Sequence, residues 1–374
     1  MAITKVINDL IDLNATDATK SLKMPSGAAY SGTAQDGMVR NDTDGDSQGS
    51  ASTMQHFNGT DWKNYENLPN PIVFDTTYLI LGGGGGGGGW GGGGGGGGYL
   101  TNYLGTAISL TVGVTYTVTV GIGGTQATNP SNNGRIIGTN GGDSILSGTG
   151  LTTITATGGG AGGTAFATPS QALPGGSGGG ADSTQTIATT GGAGNTPFTN
   201  PSQGNDGGNS GTTSGNYPGG GGGGGAAADG GSSTGTPPYT PGNGGDGLEN
   251  QITGATGIFY AGGGGGFYYG VGGSRSTGGS GGGGAGGQFD AGAADGGAGT
   301  NGLGGGGGSG AAYSGAPYTS ASGPGGRGVI ILRYPSARTA VYTAGSGGTA
   351  DAQSTVGSDN FIRITAGTGT ITFS

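Results

Sequence analysis

Two runs of eight glycines, separated by a single tryptophan, constrain this chain more than any other feature. They follow a short apolar stretch in the sequence LILGGGGGGGGWGGGGGGGGY, which extends from Leu79 to Tyr99. Glycine loses more backbone freedom on folding than any other residue. A folded chain therefore places sixteen glycines together only where the backbone needs a conformation or a close approach that side chains would prevent.

Glycine runs recur through most of the chain and leave few side chains for an ordinary core. Of the 374 residues, 105 are glycine, 30% are hydrophobic and only 8% are charged. A collagen helix is excluded because no Gly-X-Y period is sustained. Disorder is not favoured, because disordered segments usually carry a high net charge and most of this chain has almost none. The further runs are GGGAGG (158–163), GGSGGGA (175–181), GGGGGGGAAA (219–228), GGGGG (262–266), GGSGGGGAGG (278–287) and GGGGGSGAA (304–312).

The glycine runs favour a helix of three residues per turn. The polyproline II helix has this geometry and makes no internal hydrogen bonds. Buried N–H and C=O groups need partners, so several such helices have to bond to one another with their backbones close together. We predict that residues 82–328 form a bundle of polyglycine II rods, in which eight glycines span roughly 25 Å. Trp90 then lies where the chain turns between two rods, or caps the face of the bundle.

Strand patterns are few, and helix patterns are absent. Alternating or apolar segments at 72–81, 107–122, 151–157 and 329–334 predict a small β-layer, with two strands joined near Gly113. No segment of ten or more residues has an apolar period of 3.6. The predicted fold is all-β and non-helical: a polyglycine II bundle with a small β-layer, preceded by a β-rich attachment segment. The predicted domains are 1–70, the glycine-rich domain 71–334 and a small C-terminal β tail, 335–374.

Composition and charge argue against several classes of function. The net charge is −9, and no lysine follows Lys63, so binding to nucleic acid or to an anionic membrane is not expected. There is no cysteine, and no apolar run approaches the ~18 residues of a membrane span. We therefore expect a soluble protein that is made in a cytoplasm and does not insert into a membrane.

No residue pattern predicts catalysis, a cofactor or a metal site. His56 is the only histidine, so a catalytic triad or a histidine metal site would depend on it alone. Asn41–Asp46 begins like a calcium loop, but Ser47 and Thr53 stand where such a loop needs glycine and glutamate. The sequence predicts a protein that is not an enzyme.

Several motifs carry a resemblance to a known family. They run from Tyr78-Leu-Ile-Leu-GGGG, through Thr115-Tyr-Thr-Val-Thr-Val and Ala261-GGGGG, to Gly325-Gly-Arg-Gly-Val-Ile-Ile-Leu-Arg-Tyr. This order resembles the glycine-rich domain of many bacteriophage virion proteins and, more loosely, the adhesins at the tips of some long tail fibres. The N-terminal MAITKVINDLIDLN resembles the opening of many phage tail-fibre proteins. The segment from Asp36 to Lys63 resembles a short element of phage fibre and particle proteins.

The resemblance implies a function in the virion. In the adhesins, glycine rods form a polyglycine II sandwich whose variable loops contact the host receptor. We therefore expect a non-enzymatic tail fibre or adhesin, located in the virion. A capsid fibre or decoration protein is the alternative, and a tail-spike depolymerase is a second one. The N-terminal segment is expected to bind other virion proteins and to form a homotrimer.

Aromatic inserts between the glycine runs are the candidate receptor-binding residues. Three of them are consecutive, Phe267, Tyr268 and Tyr269, and two more are Tyr313 and Tyr318. Aromatic side chains among Ser, Asn and Gly are typical of recognition loops. The expected partner is a host cell-surface glycan or an outer-membrane protein, bound without electrostatic attraction. The other interpretation is that these side chains cover the ends of the bundle or fill an oligomer interface.

Overall fold

The computed structural model of the protein describes most residues after 70 and three short strands before them. No helix occurs in the described part of the chain, which confirms an all-β, non-helical fold, and accordingly none there is long and apolar enough to cross a membrane. The chain divides into two compact units, Met1–Ile72 and Val73–Ser374. The described residues are 39–42, 53–57, 62–64, 71–128, 137–165, 171–182, 188–211, 219–235, 239–269, 274–289, 295–310 and 321–374.

The first unit contains one small antiparallel sheet. Its strands are β1 (Val39–Asp42), β2 (Thr53–Phe57) and β3 (Trp62–Asn64), in the order β1-β2-β3. Phe57 pairs with Trp62, so β2 and β3 flank the predicted Asn-Gly turn, which itself lies outside the described residues. The local sequence therefore specifies this hairpin.

The second unit holds the remaining strands. They are β4 (Val73–Leu81), β5 (Tyr99–Thr101), β6 (Ile108–Thr111), β7 (Tyr116–Thr119), β8 (Ser144–Gly148), β9 (Leu151–Ala156), β10 (Leu248–Glu249), β11 (Phe259–Tyr260), β12 (Tyr268–Tyr269), β13 (Gln288–Phe289), β14 (Val329–Pro335), β15 (Ala340–Ala344), β16 (Thr349–Ala350), β17 (Ser354–Val356), β18 (Asp359–Ala366) and β19 (Thr368–Phe373).

Two antiparallel sheets form a sandwich in this unit. Sheet 1 has the order β16-β18-β14-β4-β5, with β17 beside β18 and β6 beside β4; sheet 2 has the order β15-β19-β7-β8-β9. Phe373 of sheet 2 packs against Phe74 and Tyr334 of sheet 1, with ring centroids 5.0 Å apart in both pairs. The core between the sheets therefore centres on an aromatic cluster.

Sheet 1 is buried on both faces, which explains its continuous apolar sequences. Ile80 and Ile330 face the core shared with sheet 2. Leu79, Leu81 and Ile331 face a second core, completed by Tyr99, Ile252 and Tyr260. A strand that alternated apolar and polar residues would bury polar side chains on one of these faces. The runs at 79–81 and 329–332 are apolar throughout for this reason.

The predicted boundary at residue 335 falls at the end of β14. Strand β18 pairs with β14 along six residues of each strand, from Ile330–Ile364 to Pro335–Asp359. Strand β19 pairs with β7 and contributes Phe373 to the core. Residues 335–374 are thus hydrogen bonded to strands of the glycine-rich region, and we describe them with it.

Burial of tyrosine predicts how stability changes in alkali. Desolvation raises the pKa of Tyr334 to about 12, partly opposed by a hydrogen bond from the backbone of Ala340. The unfolded chain loses this proton near pH 10 while the folded chain keeps it, so the stabilisation is complete below pH 10 and is lost as the pH rises toward 12. We expect the free energy of unfolding to fall by about 1.4 kcal/mol per pH unit in this window for this group. Denaturant titrations at several pH values measure it, with Tyr334→Phe as the control that lacks this contribution.

The glycine segments hydrogen bond with a period of three residues. Counting along residues 82–89, which we call the first central rod, every third N–H group donates to the same neighbouring segment. Residues 82, 85 and 88 donate to the second central rod, residues 91–98; residues 83 and 86 donate to segment 139–142; and residues 84 and 87 donate to segment 323–326. A backbone with three residues per turn directs its N–H groups in this way.

The carbonyl groups of the first central rod bond to three other segments. They accept from segments 124–127, 159–165 and 307–310, again at every third residue. The rod therefore has six neighbours, and its backbone polar groups are paired although it is buried, as buried N–H and C=O groups require. This is the hydrogen bonding that polyglycine II packing needs; the assignment of that conformation stays a prediction.

Close approach of backbones explains why these positions are glycine. A Cβ atom added at any residue from Gly82 to Gly88 would lie within 2.2 Å of a backbone carbonyl oxygen of a neighbouring segment. Cβ atoms in proteins essentially never come within 3.0 Å of such an atom. Side chains are therefore excluded from residues 82–88 by the neighbouring segments on all sides.

Candidate recognition surface

The rods have two ends of different character. The first central rod begins directly after Leu81 of β4, and we call this sheet end of the unit proximal. The rod ends at Trp90, where the chain turns and the second central rod returns to β5, and we call that end distal. Val73, the first residue of the unit, lies in β4. The chain therefore enters the unit in its sheet layer.

Hydrogen bonds give the direction of each further segment. Segments 124–127 and 307–310 donate to the first central rod in parallel register, so both run from proximal to distal. Segments 139–142 and 323–326 accept from it in antiparallel register and run back. The same comparison, extended from rod to rod, orders the whole region as alternating outward and returning segments.

Every gap between described residues of this region begins and ends at the distal end. Thr128, the last residue before one gap, pairs with Ala321, the first after another. Asp295, which follows a third gap, accepts a hydrogen bond from the backbone of Ala321. The connections at the proximal end, by contrast, are described, as at 226–229, 281–282 and 301–303. The distal gaps are 129–136, 166–170, 183–187, 212–218, 236–238, 270–273, 290–294 and 311–320.

Phe267, Tyr268 and Tyr269 lie at the distal end, but their surroundings differ. Phe267 is 1% exposed, and its N–H donates to the carbonyl of Gly91 at 2.9 Å. Tyr268 is half-buried and pairs with Gln288, while the backbone of Tyr269 pairs with Phe289. Burial makes Phe267 a supporting residue, whereas Tyr268 is accessible. The role of all three in binding a receptor stays a prediction.

The other two predicted residues, Tyr313 and Tyr318, lie outside the described residues. The gap that contains them starts after Gly310, which forms a parallel bridge with Gly89 next to Trp90. A second aromatic pair, Phe259 and Tyr260, lies in β11 at the proximal end. Segment 261–266 thus separates this pair from Phe267 and Tyr268.

We give the name distal surface to five partly exposed side chains at the distal ends of the segments, Trp90, Thr128, Thr234, Tyr268 and Gln288; the exposed Asp295 and the partly exposed Arg275 lie at the same end. All five are neutral. Nearby Arg275 uses its Nε to donate to the carbonyl of Gly286 at 2.7 Å and its Nη2 to donate to the carbonyl of Asp295 at 2.8 Å. The described part of this end therefore presents aromatic and amide or hydroxyl groups and no cluster of positive charge.

The proximal end contains a cavity of about 500 Å³ beside sheet 1. The ion pair between Arg363 and Asp351, 3.3 Å long, lies in its wall. Burial raises the pKa of the neighbouring Tyr260, and the positive charge of Arg363 partly opposes this shift. No group of three or more His, Cys, Asp or Glu residues in the described ranges could hold a metal ion.

Sequence reasoning found the aromatic inserts but not how the connections divide between the two ends, with Tyr268 at the distal end and Phe198 and Phe259 at the proximal end. The alternation of outward and returning runs is the signal that could have shown it; insert length is not, since the proximal connections at 194–203 and 247–260 are also long. Since each pair of runs forms an outward and a returning segment, every second connection falls at the same end. The sequence also did not specify that Trp90 lies at the centre of the distal end, because only the hydrogen bonds show which rods are surrounded by other rods.

Residues 69–335 match the family model described as a glycine-rich domain. The chain belongs to this family. The match extends from just before β4 to the end of β14 and so includes all the rods. Searches among curated proteins and among solved structures gave no match.

Proposed function

We propose that this protein is a non-enzymatic structural protein of a phage virion, a tail fibre or adhesin whose glycine-rich domain displays host-binding inserts at its distal end. One observation carries the proposal. The chain enters the glycine-rich domain in the sheet layer, and eight connections between rods, among them the one with Tyr313 and Tyr318, start and end at the opposite end. Such polarity suits a module that is attached at one end and makes contact at the other.

The packing of the rods supports a display role. An insert held at both ends by rods with paired backbone groups loses less conformational freedom on binding than a free loop does. The inserts themselves vary in length and contain Tyr, Ser, Thr, Asn and Pro, the kinds of residues found in recognition loops. The rods thus provide a fixed base for variable contact residues.

Attachment and assembly belong to the same proposal. The N-terminal unit, Met1–Ile72, is a compact unit separate from the glycine-rich domain, and it carries all four lysines and the motifs that resemble phage fibre proteins. We propose that it binds other virion proteins and forms a homotrimer. The partner at the distal end is a host cell-surface glycan or an outer-membrane protein.

Adsorption to bacteria tests the display role. The variant that combines Tyr268→Ala, Tyr313→Ala and Tyr318→Ala should weaken binding of the labelled full-length protein to susceptible cells by about tenfold or more, since a few aromatic residues supply most of the energy of such contacts. Between about 0.05 and 0.5 M NaCl binding should change little, because no ion pairs form. Flow cytometry on a panel of strains measures both effects.

The matched control is Phe198→Ala. Phe198 is 83% exposed and lies in a proximal loop. The substitution therefore removes an exposed aromatic ring from the end opposite the distal surface. An equal loss of binding in the control, or binding that disappears with salt, would contradict the proposal. Release of reducing sugar from host surface polymer by the protein would show that it is an enzyme.

A further inference from the structure

We propose that Trp90 is the central contact residue of the distal surface and stacks on a ring of a neutral saccharide. The inference rests on the proposed function and adds to it the residue and the class of ligand. Three observations lead to it: the backbone conformation of Trp90, its position among the rods and the absence of a cluster of positive charge at the described part of this end.

Trp90 has a backbone conformation that disfavours a bulky residue. Its φ is 53°, in the left-handed region, which costs an L-residue roughly 1–2 kcal/mol. Glycine adopts this region without that cost. The flanking residues are glycines on both sides, eight in each direction. The tryptophan stands at a position of the turn where glycine would relieve strain, so we infer that its side chain has a function there.

The turn at Trp90 lies in the middle of the distal end. Each of the two rods that it joins has six neighbours, so both are interior rods. The carbonyl of Gly89 accepts from Ala165, and that of Gly91 accepts from Phe267. Gly89 also pairs with Gly310. Segments ending at the distal end thus surround the turn, while the indole itself stays half-buried.

A half-exposed indole at the centre of a face suits stacking on a flat apolar surface. The buried Phe267 supports the backbone next to it, and Tyr268 adds a second accessible ring. Central aromatic residues, surrounded by other contacts that exclude water, dominate the energy of many interfaces. The apolar face of a sugar ring is a ligand of this kind.

The charges at this end favour a neutral ligand. The members of the distal surface carry no charge, and the charged residues described beside them are Arg275, which uses Nε and Nη2 on two backbone carbonyls, and the acidic Asp182 and Asp295. An acidic saccharide would lose hydration on binding and would meet two acidic residues and a single arginine among the described residues of this end. A neutral saccharide has no such penalty. The ligand class is therefore a neutral oligosaccharide of a cell surface.

Trp90→Gly in the full-length protein is the main test, with an array of neutral and acidic bacterial oligosaccharides as the probe. The unaltered protein should bind neutral members, and the variant should bind them at least about tenfold more weakly by titration. Because relief of strain offsets the loss of a half-buried ring, the midpoint of thermal unfolding should shift by no more than about 4 °C. Phe198→Ala is the control and should change neither value.

A second measurement leaves Trp90 in place. In the Trp62→Phe chain Trp90 is the remaining tryptophan, so a saturating neutral saccharide should shift its fluorescence and protect it from acrylamide. Unchanged fluorescence, equal binding by Trp90→Gly, binding of acidic saccharides alone or no saccharide binding overturns the inference. A large fall in thermal stability would assign Trp90 a structural role and overturns it as well.

Cell adsorption separates this inference from the proposed function. If the unaltered protein adsorbs to cells and Trp90→Gly adsorbs equally well, the display role stands and the role of Trp90 is rejected. If cells lose adsorption after protease treatment but not after removal of their glycans, the receptor is a protein and the saccharide is rejected. Adsorption of the unaltered protein to no strain counts against the proposed function itself.

Discussion

Valine at Gly222 or at Gly264 should abolish folding. The Cβ atom at Gly222 would lie 1.9 Å from the carbonyl oxygen of Asn243, and that at Gly264 would lie 2.1 Å from the carbonyl oxygen of Gly307. Relief of either clash requires neighbouring rods to separate, which breaks backbone hydrogen bonds on several sides. We expect a loss comparable to the whole stability of a domain, about 5–15 kcal/mol. Yield of soluble protein, resistance to protease and thermal unfolding measure it.

Gly89→Ala is the matched control in the first central rod. A Cβ atom there would meet Thr164 Cγ2 at 3.4 Å and Ala127 Cβ at 3.8 Å, which are ordinary contacts. We expect the free energy of unfolding to change by no more than about 1 kcal/mol. Alanine restricts the unfolded chain more than glycine does, and this effect stabilises the variant. Normal folding of both valine variants would show that the rods are not closely packed.

Phe373→Ala should cause the largest loss among substitutions in the sandwich. The ring is 1% exposed and contacts Phe74, Tyr116 and Tyr334, with the Tyr116 centroid 6.5 Å away. Truncation leaves a cavity between the two sheets, so we expect the free energy of unfolding to fall by about 3–5 kcal/mol. Chemical denaturation of the purified variant measures this value.

Val341→Ala provides the comparison on the neighbouring strand β15. Val341 is 53% exposed, and its truncation should change stability by no more than about 0.5 kcal/mol. Similar stabilities for the two variants would mean that residues 335–374 contribute little to the sandwich. A separate early unfolding transition in Phe373→Ala would show that the sheets unfold independently of the rods.

Local patterns in the sequence determined the strands that are apolar and long. The predicted segment 72–81 is β4, segment 151–157 is β9, and segment 329–334 is β14, each within one residue at either end. The alternating stretch 107–122 forms β6 and β7 on the two sides of Gly113. These assignments succeed because burial on a sheet face depends on the residue types within a strand.

The sequence did not show that β8 lies between β7 and β9, or that β18 and β19 extend the two sheets. Such pairings join residues far apart in the chain, as with Ile331 and Arg363. Local propensity carries no information about which strands will meet. The inclusion of the C-terminal strands in the sandwich was therefore decided by the tertiary structure.

The same division applies to the candidate recognition surface. The sequence by itself determined that the rods exclude side chains and that aromatic residues are concentrated in the inserts. Only the tertiary structure decided that every second connection between rods falls at the distal end, that Phe267 is buried beside the accessible Tyr268, and that Trp90 stands at the centre. The physical reason is that a run of identical glycines allows close packing against any other glycine run of the same spacing. The run itself does not specify which segment becomes its neighbour.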